Sequence, residues 1–68
     1  MIGTYQATKD FSTQFGMASL TLPKGSTIEV EQVDSKFNQV LVRCGSFIDW
    51  KHKRFLNLFK FQITNNRR

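Results

Sequence analysis

The sequence predicts an all-β fold, a single small barrel of five strands with a long first loop and a short 3-10 turn before the last strand. Three observations predict it. Short runs alternate apolar and polar residues at period two with turn formers between them, helical spacing is scarce, and 68 residues leave room for one core only. Seven Phe, one Trp and one Tyr supply the bulk of that core, since each buried aromatic removes roughly 150–250 Å² from water.

The first strand is expected over Ile2–Thr8, followed by a polar stretch, Lys9–Ser19, that reads as a long loop packed by its own Phe11, Phe15 and Met17. Leu20-Thr21-Leu22 is a short alternating run. It leads into Pro23-Lys24-Gly25-Ser26, whose proline and glycine suit a β-turn. Thr27–Val33 alternates, placing Ile28, Val30 and Gln32 on one side and Thr27, Glu29 and Glu31 on the other. Asp34–Asn38 is a polar connection, and Gln39–Cys44 directs Val40, Val42 and Cys44 inward. Gly45-Ser46 then joins this strand to 47–53 as a hairpin, with Ile48, Trp50 and His52 on one face and Phe47, Asp49, Lys51 and Lys53 on the other. Phe55–Phe59 breaks the alternation as a tight helical turn would, and Lys60–Thr64 reads as the last strand. Residues 1–64 are thus expected to form one domain, and 65–68 a flexible basic tail.

Cys44 is the lone cysteine, so an internal disulfide is excluded and a Cys-rich zinc site is not expected. No leader-like or membrane-length apolar run is present, and a cytoplasmic, soluble protein is the expectation. The net charge of +5 is lopsided. Residues 1–42 hold three basic side chains against four acidic ones, and residues 43–68 hold seven against Asp49 alone, giving −1 and +6.

Ala7-Thr8-Lys9-Asp10-Phe11 resembles the Ala-Leu-Tyr-Asp-Tyr stretch of the Src-homology-3 family. Leu20 to Val30 is similar to that family's diverging turn and the strand after it, and Asn57 stands where the family has the Asn of its Pro-Ser-Asn-Tyr segment. The resemblance implies an SH3-like barrel. It implies no ordinary PxxP binding, because the Trp that opens the family's third core strand is unmatched at Phe37-Asn38-Gln39, and Phe55 and Leu58 replace the groove's Pro and Tyr.

A catalytic site is not expected. His52 is the one histidine and has no carboxylate pair, phosphate loop or metal-ligand spacing beside it, and Cys44 reads as a small core residue rather than a nucleophile. No cofactor or metal is expected either. Trp50-Lys51-His52-Lys53-Arg54-Phe55 joins cations that neutralise phosphates to aromatics that stack on unpaired bases. Trp50, Lys51, His52, Lys53 and Arg54, with Arg43 and Lys60, form the expected nucleic-acid surface; the competing reading makes Trp50 core and the cations a solvated strand face. The alternative function is a protein-interaction adaptor or inhibitor, as in a phage or plasmid accessory protein. It would present its long loop, through Phe11, Phe15 and Met17, with Phe37 and the basic strand, to an acidic partner, whereas the competing reading has the loop aromatics plugging the barrel end. A monomer or weak homodimer fits both.

Overall fold

The structure, a computed structural model, describes residues 2–62 and is all-β apart from one 3-10 turn. Seven strands form among these residues: β1 (Gly3–Ala7), β2 (Phe11–Phe15), β3 (Ala18–Leu22), β4 (Thr27–Asp34), β5 (Gln39–Cys44), β6 (Phe47–His52) and β7 (Phe59–Gln62). Five of them make an antiparallel sheet in the order β6-β5-β4-β1-β7, and β2 and β3 pair separately as a hairpin. Neither sheet is closed, so β6 and β7 remain edges where a continuous barrel ladder was expected.

The stretch expected as a long loop is mostly this hairpin. Phe11 pairs with Leu22 and Phe15 with Ala18 in an unbroken register. Gly16, with φ 61°, supplies the positive φ that a type II′ turn needs at its first central position. The alternation was masked because Ser12, Gln14, Ser19 and Thr21 occupy the solvent side, giving a strand pair the composition of a loop. At its base the hairpin is fastened by Asp10 Oδ1, which accepts the Lys24 N–H at 2.6 Å.

The core comprises Tyr5, Ala7, Phe15, Leu22, Ile28, Val30, Val40, Val42 and Phe59, and no polar or charged residue is buried among the described residues. Val40 and Val42 point inward as expected, while Cys44 is half-buried. Gln32 is a correction. A bulge between Val30 and Gln32 inserts Glu31 as an extra residue, so Gln32 pairs with Leu41 and leaves the face of Ile28 and Val30. Val33 pairs with Val40 instead, on the face that Val40 buries, but remains 47% exposed.

In the connection 34–38, Asp34 Oδ1 accepts from the Lys36 and Phe37 N–H groups at 3.1 and 3.3 Å, and Asn38 adopts φ 56°, a left-handed conformation that Asn tolerates. The 3-10 turn spans Lys53–Leu58, two residues earlier than expected. His52 starts it there by accepting the Arg54 N–H on Nδ1 at 3.1 Å, which takes Lys53 out of β6. The last strand begins at Phe59, and its expected end at 63–64, like the tail 65–68, lies outside the described residues.

Candidate nucleic-acid interface

Strand parity sorts the basic-aromatic segment onto two faces. Phe47, Asp49 and Lys51 pair with Cys44, Val42 and Val40 and share their inward face. Ile48, Trp50 and His52 pair with Arg43, Leu41 and Gln39 on the outward face. Trp50 is therefore not core: 41% of it is exposed, and Ile48 beside it is 49% exposed. With half-buried Leu41 they make an apolar strip on the wall of the edge strand.

Lys51 points the other way. Its Nζ donates to Thr13 Oγ1 at 3.1 Å and to the Gln14 carbonyl, and it lies 5.0 Å from the Phe15 ring centroid and 5.4 Å from that of Phe55. Asp49 makes a second tie, its Oδ2 accepting the Gly16 N–H at 2.8 Å. Two side chains of β6 thus hold the β2–β3 hairpin across the sheet. The alternation places both on one face, but not which partner they meet.

Arg43 is paired too, bonding Glu31 across the bulge. That bond and the charge of Glu31 hold the Arg43 guanidinium above its ordinary pKa, with Glu29 adding a smaller push. The cations next to Trp50 that remain are Lys53 and Arg54, exposed in the first residues of the 3-10 turn, which His52 caps through Nδ1. Lys60 stands on β7, at the opposite edge of the sheet. Of the seven residues expected to form the surface, the fold gathers Trp50, His52, Lys53 and Arg54, commits Lys51 and Arg43 to internal partners, and separates Lys60.

The residues of the alternative surface divide likewise. Phe15 is buried, and half-buried Phe11 packs edge-on against Phe55 and Phe59 at 5.9 and 5.4 Å between centroids. Met17 is fully exposed at the hairpin tip, and Phe37 projects from the 34–38 turn with Lys36 Nζ 5.5 Å from its ring centroid. The described residues enclose no pocket, hold no cluster of three or more metal-ligating side chains, and include no helix long and apolar enough to cross a membrane.

Comparisons with protein-family models, with curated proteins and with solved structures each give no match for this chain.

Proposed function

We propose that this chain is a non-enzymatic binding module of SH3-like topology that takes nucleic acid on the outward wall of β6 and the start of the 3-10 turn. The topology is supported by the ladder order β6-β5-β4-β1-β7, by the hairpin inserted between its first two strands in sequence, and by the 3-10 turn before β7. The observation that carries the function is Trp50, half-exposed on the outward sheet face and followed, beyond the inward Lys51, by His52, Lys53 and Arg54.

A sheet wall with an exposed indole suits unpaired bases, which stack on aromatic faces for about 1–3 kcal/mol each, better than a duplex groove, which needs a protruding helix or ribbon. One stacking residue and two unpaired cations give modest affinity. Binding near micromolar Kd at low salt is expected, equivalent to about −8 kcal/mol.

Titration of labelled single- and double-stranded DNA and RNA at low and moderate salt tests the reading. Single strands should bind with a log–log salt slope near −1 to −2, as two or so neutralised phosphates give. Absence of micromolar binding at low salt sinks it.

A second reading, an adaptor or inhibitor for an acidic protein, is favoured by Met17 and Phe37, large apolar side chains exposed in connections rather than on the sheet wall. Capture from nuclease-treated lysate separates the two. A protein partner survives that treatment, and Met17→Ser with Phe37→Ser should abolish its capture while leaving nucleic-acid binding intact.

A further inference from the structure

We propose that the outer edge of β6 is a strand-pairing surface for a second copy of this chain, held shut in the monomer by Asp49. The direction of the main-chain groups follows from ladder parity. A two-residue link, Gly45-Ser46, makes Cys44–Phe47 a hydrogen-bonded pair, so Val42–Asp49 and Val40–Lys51 are hydrogen-bonded pairs as well. The same parity continues past the strand, where the Lys53 N–H donates to the Asn38 carbonyl at 2.8 Å. Ile48, Trp50 and His52 therefore aim their N–H and C=O groups away from β5, off the sheet.

One donor of that edge is taken. The Trp50 N–H donates to Asp49 Oδ1 at 2.8 Å, while Oδ2 of the same carboxylate receives the Gly16 N–H of the hairpin turn. The central donor of the edge is thus capped by a side chain, and the cap is held in place by the hairpin. Two other common defences of an edge strand are missing, since β6 has no proline and no bulge.

The edge is also self-complementary. Antiparallel pairing about a two-fold axis at Trp50 sets Trp50 against Trp50, Ile48 against His52, and Asp49 against Lys51 of the other copy. The Leu41–Ile48–Trp50 strips of the two copies then join on the outward face. The proposal is independent of the nucleic-acid reading.

Asp49→Ala removes the cap. Sedimentation analysis from micromolar to about millimolar protein should find the wild type monomeric and this variant dimeric, the dimer fraction rising with concentration. Ile48→Lys added to the variant should restore the monomer. In the wild type, amide hydrogen exchange should be about tenfold or more slower at Trp50 than at Ile48 and His52. A folded but monomeric Asp49→Ala protein, or a dimer indifferent to Ile48→Lys, overturns the proposal. So does a Trp50 amide that exchanges as fast as that of Ile48, a measurement that decides the matter even if Asp49→Ala does not fold.

Discussion

Lys51 places its ammonium 5.0 Å from the centroid of the buried Phe15 ring while bonding the main chain of the neighbouring Gln14. One cation from the edge strand thereby secures the hairpin that covers the core. Replacing it removes a partly desolvated cation–π contact and leaves the Gln14 carbonyl without its charged donor. Lys51→Ala should cost about 1–3 kcal/mol, read as a lower urea midpoint, whereas Lys53→Ala on the exposed turn should stay within about 0.5 kcal/mol. Equal effects would mean that the hairpin does not depend on Lys51.

The nucleic-acid surface is best probed without disturbing that tie. Lys53→Ala with Arg54→Ala should weaken single-strand binding and flatten the salt slope by about 1.4, the share of two phosphates. Trp50→Ala should weaken binding about tenfold or more with the slope unchanged, since the loss is stacking rather than charge. Trp50 is the sole tryptophan, so its fluorescence should be quenched by bound strand. A variant lacking Trp50 that binds like the wild type would remove the indole from the interface.

Gly3 makes a backbone prediction. Its φ is 148°, and a Cβ there would lie 2.7 Å from Cε1 of Phe61, the ring that packs edge-on against Tyr5 at 5.0 Å. Gly3→Ala therefore both strains the backbone and displaces the ring, at about 1–3 kcal/mol by chemical denaturation. Adding Phe61→Leu should relieve the collision but leave the conformational cost.

Burial pushes the Tyr5 phenol above its ordinary pKa of 10.0. The neutral phenol is thus favoured by the fold, and its contribution is intact below pH 10. As pH rises beyond that, the unfolded chain ionises first, and stability is lost as the pH climbs through the higher folded value. The thermal midpoint should fall above about pH 10, and less steeply in Tyr5→Phe, which isolates the contribution of this group. Identical alkaline slopes would show that Tyr5 does not contribute.

Much of this was legible where alternation and burial agree. Ile28, Val30, Val40 and Val42 are apolar at every second position and all four are buried, and the bounds of β5 follow the pattern to the residue. The bulge at Glu31 escaped because period-two reasoning has no signal for an inserted residue, and Gln32 and Val33 changed faces with it. The orientation of β6 escaped for another reason. Apolarity favours burying Ile48 and Trp50, yet the inward side of this edge meets the hairpin main chain, whose N–H and C=O groups are better served by Asp49 and Lys51. That exchange leaves Trp50 outside, and with it the candidate site.

β1 pairs with both β4 and β7, strands far from it in sequence. Residues 3–7 are made before the strands that flank them, which begin at 27 and 59, so on its β7 side β1 waits for residues 59–62. During synthesis the β2–β3 hairpin and the β4-β5-β6 meander can form from neighbouring residues, while β1 stays incompletely paired until residues 59–62 emerge. Contacts this distant in sequence slow folding, and a nascent chain stalled before residue 59 would display Tyr5 and Ala7 beside an open ladder, a form that chaperones and proteases could engage before the finished sheet exists.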